Sequence, residues 1–265
     1  MRFDVITLFP ELLMPMLSLG INRRAFESGQ VQVVLWNLRD FAEGNYRRVD
    51  DRPFGGGPGM VMMAEPLARC LAAVGQDRAG LAEAPPAPVV LFSPLGQRLD
   101  HAAVQTWADS AGAVLVCGRY EGIDQRFIDA HVDVQISLGD FVLSGGEIAA
   151  MALLDAVARL QPGVLNDQGS HQQDSFNPAL DGLLDCPHYT RPEVWSSGSG
   201  AMPVPAVLMS GNHERIARFR REQSLQTTAR WRPDVLAQVR QAGRLSAQDE
   251  RFLRQCPLGH NADPC

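Results

Sequence analysis

The sequence predicts an α/β fold with a mainly parallel sheet, followed by a smaller helical domain. Along the first 165 residues, short runs rich in Val, Leu and Ile alternate with stretches of helical periodicity. That alternation is typical of strands joined by crossover helices. Several of the apolar runs are continuous, as expected for parallel strands covered on both faces. After residue 165 only helical patterns recur.

Five strands and five helices are predicted for this first part. The strands are residues 4–8, 31–36, 89–92, 113–117 and 132–137. The helices are residues 11–19, 66–74, 101–110, 124–130 and 147–160. Pro66 suits a helix start because its missing N–H would have no partner there. Pro162 and Gly163 are typical of the end of the last helix.

The remaining sequence predicts a connector and a second domain. Residues 166–177 are polar and without periodicity, which predicts a flexible connector between a domain at 1–165 and one at 178–265. A Gly/Ser-rich stretch at 196–201 predicts a further break. Three helices are predicted after it, at residues 213–223, 233–241 and 246–255.

The composition is that of a globular protein with a real core, with 45% hydrophobic and 20% charged residues. No apolar run approaches the roughly 20 residues that span a bilayer, and no leader pattern is seen, so neither a membrane partner nor a signal peptide is expected. Five widely spaced cysteines indicate a reducing compartment, and hence a cytoplasmic protein. All 24 basic residues are arginine, which excludes P-loop and Schiff-base lysine chemistry.

A glycine-rich loop at residues 50–59, here the first loop, is flanked by Arg47, Arg48 and Arg52. Without Cβ atoms, its backbone can approach a ligand closely. Bare amide groups beside arginines suit a phosphate or a base edge. Neither the phosphate-loop motif nor the Gly-x-Gly-x-x-Gly pattern is present. A tight surface turn explains the glycines equally well.

Three further turns follow predicted strands. They are residues 93–96, residues 117–122 (the second loop) and residues 138–147 (the third loop). Open α/β sheets bind ligands at the carboxyl ends of their strands. The loops combine apolar side chains, glycines and carboxylates, which suits an adenosine-like ligand that carries positive charge. Alternatively, the glycines only shape the turns.

Long motifs in these loops and beyond them resemble the bacterial TrmD family of the SPOUT superfamily. They are residues 49–60, 117–124, 139–147, 174–176, 182–194 and 208–213, so the resemblance covers nearly the whole chain. It implies a trefoil-knotted SPOUT domain, which general folding rules would not predict. It also implies a homodimer with the active site at the subunit interface. The implied reaction transfers a methyl group from S-adenosylmethionine to N1 of guanosine 37 of tRNA, 3′ of the anticodon.

The resemblance also implies site residues. Those expected to bind S-adenosylmethionine are Ser93, Pro94, Gly118, Tyr120, Glu121, Leu138, Gly139, Asp140, Phe141, Val142, Leu143, Gly145 and Gly146. Phe141 stands where many relatives carry tyrosine. Those expected to bind the target base and the anticodon stem-loop are Asp50, Arg52, Gly59, His213, Arg215, Arg218, Arg220 and Arg221.

Methylation of guanine N1 requires a base to remove its proton and a positive group to stabilise the charge that spreads to O6. By resemblance, Asp174 is the general base and Arg159 stabilises O6. On composition alone, Asp174 would be a solvated loop carboxylate and Arg159 a cation at a helix C-terminus. The family is described as magnesium-dependent, and Glu121 and Asp174 are the oxygen ligands expected for Mg²⁺.

Other interpretations are weaker. Cys186 precedes Pro187 and suggests a cysteine nucleophile, but attack by N1 needs no covalent adduct. Cys256, His260 and Cys265 suggest a zinc site, although three scattered ligands are too few. The arginines of residues 212–232 suit RNA phosphates or a solvated helix face. Alternative functions are a SPOUT enzyme acting on ribosomal RNA or ribose, and a non-catalytic RNA-binding protein; DNA is not expected as a partner.

Overall fold

A computed structural model describes residues 1–80, 87–165, 170–198 and 200–255. The chain divides into two compact units, Met1–Asn166 and Asp167–Cys265. Each unit has its own hydrophobic core. Cys256, His260 and Cys265, which are disfavoured as zinc ligands because they are too few and scattered, lie outside the described residues.

The first unit is built on a five-stranded parallel sheet. The strands of this unit, in chain order, are β1 (Arg2–Thr7), β2 (Gln32–Asn37), β3 (Asp50–Asp51), β4 (Val61–Met62), β5 (Val89–Arg98), β6 (Gly112–Val116) and β7 (Val134–Ser137). All except β3 and β4 belong to the five-stranded sheet. The order in the sheet is β2-β1-β6-β5-β7, and each neighbouring pair is parallel. Strands β3 and β4 pair separately and antiparallel. The predicted mainly parallel α/β sheet is therefore confirmed.

Helices cover both faces of this sheet. They are α1 (Met14–Ser18), α2 (Arg23–Glu27), α3 (Ala64–Ala79), α4 (His101–Ala108), α5 (Gln125–His131) and α6 (Glu147–Arg159). Side chains of each central strand alternate between the two layers, since Leu115 packs in the cluster with α6 and Val116 in the cluster with α3. A strand buried on both faces has no polar side to show, which explains its continuous apolar run.

Several predicted elements differ in their bounds, two of them for clear local reasons, and the helix predicted at 66–74 extends over Ala64–Ala79. The predicted helix 11–19 is a 3-10 turn at Pro10–Leu12 followed by the short α1. Pro15 lacks an N–H and occupies the first turn of α1, so one continuous helix cannot run through it. Strand β5 continues to Arg98, because its ladder with β7 resumes at Gln97 after an interruption at 93–96. Helix α2 was not predicted.

A buried cluster of charges fastens α3 to β1. Asp4 is fully buried and accepts hydrogen bonds from Arg2 Nη2 (2.6 Å), Arg78 Nε (2.6 Å) and Trp36 Nε1 (2.9 Å). Arg78 also donates to the carbonyl oxygen of Arg2 at 2.7 Å. The partly exposed Asp77 takes a second bond from Arg2. A carboxylate without water is tolerated only with such partners.

The second unit is a helical cluster preceded by a hairpin. Its elements are β8 (Val194–Ser197), β9 (Gly200–Pro203), α7 (Ala206–Met209), α8 (His213–Trp231), α9 (Pro233–Gln241) and α10 (Ala247–Gln255). The break predicted at 196–201 is wrong, because β8 and β9 pair there as an antiparallel hairpin. Helix α8 is longer than predicted. Thr228 interrupts the apolar pattern but donates its hydroxyl hydrogen to the Ser224 carbonyl one turn earlier.

The residues before α8 are bonded to it and to one another. Residues 166–169 of the predicted connector lie outside the described residues, and Ser170–Gln173 forms a 3-10 turn. Asp185 N donates to Ser175 Oγ and Phe176 N to the Leu183 carbonyl, both at 2.9 Å. Leu184 in turn bonds to α8, donating to Thr228 Oγ1 at 3.0 Å and accepting from Ser224 Oγ. The segment containing Asp174 is thus tied to α8.

Among the described residues, no helix is both long enough and apolar enough to cross a bilayer.

Replacing Asp4 with asparagine should destabilise the protein by about 3–5 kcal/mol, because the buried Arg78 loses its carboxylate partner and Arg2 keeps only the exposed Asp77. Urea denaturation followed by circular dichroism measures the loss. Asp77→Asn is the matched control, since its side chain is 53% exposed and also contacts Arg2. It should cost less than about 1 kcal/mol. Equal losses in both variants would contradict the structural role given to Asp4.

Candidate active site

The second and third loops enclose a cavity of about 480 Å³ at the carboxyl ends of β5, β6 and β7. That volume is within the usual range for small-molecule sites. The residues expected to bind the cofactor that line it are Ser93, Pro94, Gly118, Tyr120, Glu121, Leu138, Gly139, Phe141, Val142, Leu143, Gly145 and Gly146. The remaining one, Asp140, is not among the lining residues. Its carboxylate points to solvent and pairs with Arg98 at 3.0 Å.

Apolar side chains form much of the cavity wall. Leu91 and Ile136 come from the strands, Leu143 comes from the third loop, and Ile123 directly follows the second loop. The carboxylate side chain of Glu121 lies at the rim and is exposed. The cavity therefore offers an apolar interior with a negative charge at its edge. This combination suits a ligand with a flat, largely apolar body and a cationic group.

Glycines let the backbone of the two loops approach closely. Gly146 N donates to the Gly118 carbonyl at 2.9 Å, which joins the third loop to the second. A Cβ atom on Gly146 would lie 2.8 Å from the Cα atom of Cys117, closer than real contacts allow. Glycine is therefore required at this position by packing against backbone, which cannot move aside. Tyr120 adopts a left-handed conformation with φ of 60° without being glycine, a strain typical of ligand-binding loops.

The first loop lies beside the rim of the same cavity. Glu121 N donates to the Met60 carbonyl, and Met62 N to the Gly122 carbonyl, both at 2.9 Å. Gly59 faces the Glu121 side chain so closely that a Cβ there would collide with it. A second, separate hollow is lined by Arg52, Pro53, Gly56, Gly57, Gly59 and Met60. Asp50 lies in β3 at the base of this loop. The three glycine loops therefore meet at one edge of the first unit.

The two residues expected to react lie in different units. Arg159 is the last residue of α6 in the first unit. Asp174 belongs to the second unit and is partly buried, in the segment tied to α8.

The described cysteines are free and buried, which disfavours a thiolate mechanism. Burial raises the pKa of Cys70 to about 12 and holds the pKa of Cys117 well above its usual range. Burial and the neighbouring Asp185 also raise the pKa of the Cys186 thiol. A thiol must ionise to attack, so Cys186 is a poor nucleophile here.

Asp185, Cys186 and His188 are the one trio of potential metal ligands that converges within the described ranges, with ligand atoms inside 4.8 Å. Both oxygens of Asp185 already accept hydrogen bonds or face a ring nitrogen. Oδ1 accepts from the Cys186 amide at 2.7 Å, and Oδ2 lies 2.8 Å from His188 Nε2. These contacts account for the trio without a metal ion.

The predicted basic surface on α8 separates into two groups. Arg218 pairs with Glu222 (2.7 Å) and with Asp249 of α10 (3.3 Å). Arg221 pairs with Asp249 (3.1 Å) and with Asp181 (2.9 Å). Burial opposes ionisation of Asp249, but hydrogen bonds from Arg221 and Ser246 outweigh it and lower its pKa. These two arginines therefore join α8 to α10.

Arg215 and Arg220 project from α8 into solvent, as does His213 at its first residue. Within the described part of the chain, no carboxylate lies within 4 Å of either arginine. Asn212 caps the helix by accepting from Arg215 N at 3.0 Å. These exposed side chains on the first half of α8 are the ones available to an anionic partner.

Comparison with known proteins agrees with this geometry. The sequence profile of the tRNA (Guanine-1)-methyltransferase TrmD family matches residues 1–238. Three relatives are each named tRNA (guanine-N(1)-)-methyltransferase. They come from Polaromonas sp. (68% identity, 96% of both chains), Albidiferax ferrireducens (70% identity, 96% of this chain and 98% of the relative) and Bordetella pertussis (56% identity, 96% of both chains).

The fold, the loops and these matches define the class of the protein as a methyltransferase that modifies transfer RNA. The chain belongs to the TrmD family, the S-adenosylmethionine-dependent tRNA (guanine-N1)-methyltransferases. The resemblance drawn from the sequence motifs is thereby confirmed.

Cys186→Ala should methylate tRNA within about twofold of the wild-type rate, because a thiol with a raised pKa is not the nucleophile. Initial rates with radiolabelled methyl donor give the comparison. Cys70→Ala, at a buried site within the other unit, controls for general effects of thiol removal. A loss of more than about a hundredfold in the Cys186 variant alone, with an unchanged melting temperature, would restore the covalent mechanism.

Proposed function

We propose that this protein transfers the methyl group of S-adenosylmethionine to N1 of guanosine 37 of tRNA, the nucleotide 3′ of the anticodon. Asp174 acts as the general base and Arg159 stabilises the charge on O6. The observation that carries the proposal is the cavity between the second and third loops, in a chain of the TrmD family. The activity of the family supplies the reaction, and the cavity supplies a site for the donor.

The residues of the cavity fit S-adenosylmethionine. Apolar walls suit the adenine ring, and the glycines at 145 and 146 let the two loops that form the walls approach each other closely. The exposed carboxylate of Glu121 at the rim suits a cationic ligand. When bound, this donor supplies a methyl group already activated by a sulfonium. We extend the family resemblance to a SPOUT-type trefoil knot around these loops, within a donor-binding domain at residues 1–165.

The chain's own residues have two tasks in the reaction. Asp174 takes the proton from N1, since the nitrogen becomes a nucleophile only when that proton leaves. Arg159 offers hydrogen bonds to the oxygen where negative charge accumulates. Two hydrogen bonds, from Asp185 N to Ser175 Oγ and from Phe176 N to the Leu183 carbonyl, hold the chain next to Asp174 in place. No covalent enzyme intermediate is needed, and aligned placement of donor and nitrogen supplies much of the acceleration.

The tRNA contacts are assigned to two surfaces. Asp50, Arg52 and Gly59 of the first loop hold the target guanine and its neighbour, which must be splayed out of the anticodon loop to react. The domain at residues 178–265 grips the anticodon stem with the exposed His213, Arg215 and Arg220. Arg218 and Arg221, also expected there, contribute mainly by fixing α8. The substrate implies a cytoplasmic protein with RNA as its nucleic-acid partner.

Two further assignments extend the family resemblance. A homodimer is supported by the exposed apolar side chains near the N-terminus, which a second copy would cover. These are Phe9, Leu12, Met14, Leu19 and Ile21. Mg²⁺ would be held by Glu121 and Asp174, whose carboxylate oxygens are the ligand type that this ion prefers. Glu121 is exposed at the cavity rim and so is open to an incoming ion.

Asp174→Ala should lower kcat by about 10²–10⁴-fold, the range expected for loss of a general base. Its affinity for S-adenosylmethionine should stay within about threefold, because the donor does not depend on that proton transfer. Single-turnover methylation of tRNA and calorimetric titration of the donor measure the two quantities. Transcripts with guanosine or another base 3′ of the anticodon provide the substrate control.

Equal rates for wild type and Asp174→Ala would remove Asp174 as the base. Methylation of ribosomal RNA or of ribose, with none at guanosine N1, would refute the proposed site of transfer.

Arg215→Ala and Arg220→Ala should each raise the KM for tRNA about three- to tenfold and leave the melting temperature unchanged. Each should also reduce the salt dependence of tRNA binding by about one counterion, as loss of one phosphate contact does. Arg221→Ala should instead lower the melting temperature, because Asp249 loses a partner. Filter binding at several salt concentrations and thermal melts separate the two groups. Unchanged salt dependence in the Arg215 and Arg220 variants would contradict the assignment.

A further inference from the structure

Glu147, the first residue of α6, carries a fully buried carboxylate immediately behind the third loop. The hydroxyl of Thr7, also buried at the end of β1, donates to its Oε1 at 2.8 Å. Its Oε2 lies 2.9 Å from Nε of Arg119 in an ion pair whose N–H is not aligned as a hydrogen bond. A buried carboxylate depends on such partners, so Arg119 and Thr7 determine where Glu147 lies.

Arg119 belongs to the second loop and reaches across to the third. Its Nη1 donates to the Ser144 carbonyl at 3.2 Å, and its guanidinium lies 4.6 Å from the ring centroid of Phe9. Gly145 lies directly beneath this side chain, where a Cβ would collide with Nε. One cation thus contacts the third loop, the start of α6 and the chain just after β1.

The backbone repeats the same connection. Arg119 and Gly145 form an isolated antiparallel bridge, and Gly146 N donates to the Gly118 carbonyl. Arg119 and these glycines also line the cavity assigned to the methyl donor. The ion pair therefore lies at the point where the two halves of the cavity wall are joined. Two halves that are not held together would have to be ordered by the ligand, which lowers its affinity.

We propose that Arg119 and Glu147 are positioning residues that hold the second and third loops at the separation required by the methyl donor. The inference rests on the proposed donor site. Neither residue transfers a proton to or from the substrate in this scheme. Arginine is suited to the role because its planar group offers several donors and can stack on a ring at the same time, whereas lysine offers one point charge.

Two variants test the proposal. Arg119→Lys keeps the positive charge but loses the planar guanidinium group with its several donors. The double variant R119M/E147Q removes both charges, so that neither is left unpaired in the interior. Each should weaken the binding of S-adenosylmethionine by about tenfold or more and raise its KM equally. At saturating donor, kcat and the KM for tRNA should stay within about threefold, because bound donor restores the loop spacing.

Controls separate positioning from loss of folding. R69M/E65Q removes an exposed ion pair of α3, whose Nε and Oε1 atoms are 2.9 Å apart, and should leave donor binding unchanged. Thermal melts of each ligand-free variant identify those that fold. If the double variant does not fold, the donor affinity of Arg119→Lys alone tests the proposal. Donor binding like that of wild type in the folded variants overturns the inference, as does a fall in kcat with unchanged affinity. Wild-type protein that fails to bind S-adenosylmethionine would instead reject the donor site itself.

Discussion

The parallel direction of the sheet strands constrains where every loop of the candidate site can lie. Because β5, β6 and β7 run the same way, the chain leaves them at a single edge. The first loop reaches this edge through the backbone bonds that join Met60 and Met62 to the second loop. The cavity thus follows from topology, and the glycines allow its walls to close by letting backbone meet backbone.

Within the described residues, ion pairs between a buried carboxylate and an arginine join separate elements of the fold at three places. Asp4 joins β1 to α3, Glu147 joins two loops and Asp249 joins α8 to α10. In each case a buried or nearly buried carboxylate meets a guanidinium, which can satisfy several acceptors at once. A chain with no lysine and a net charge of −6 therefore uses part of its positive charge internally, and only some of the arginines of α8 remain exposed to solvent.

The apolar pattern was sufficient to predict the parallel sheet, and long motifs were sufficient to predict the family. The hairpin of β8 and β9 was not predicted, because its Gly and Ser residues obscure the alternation of apolar and polar side chains that marks a strand. The predicted helix 213–223 ends too early, because Ser224 and Thr228 break the apolar periodicity of α8. Arg119, Glu147 and Thr7 were missed for another reason. Thr7 is 112 positions from Arg119 and 140 from Glu147, and the latter two are 28 apart, so no local spacing relates the three. Arg119 and Glu147 do lie within the motifs that resemble the TrmD family. The roles of Asp174 and Arg159 remain predictions.

The segment carrying Asp174 is fastened to α8 through Ser175, Leu184, Ser224 and Thr228. The helix proposed to bind the anticodon stem with its exposed arginines therefore also fixes, through Ser224 and Thr228, the backbone beside the proposed base. Under that proposal a free nucleoside, which has no stem to bind α8, lacks one of the contacts that share this helix with Asp174, so selectivity for whole tRNA arises from the placement of the base as well as from affinity.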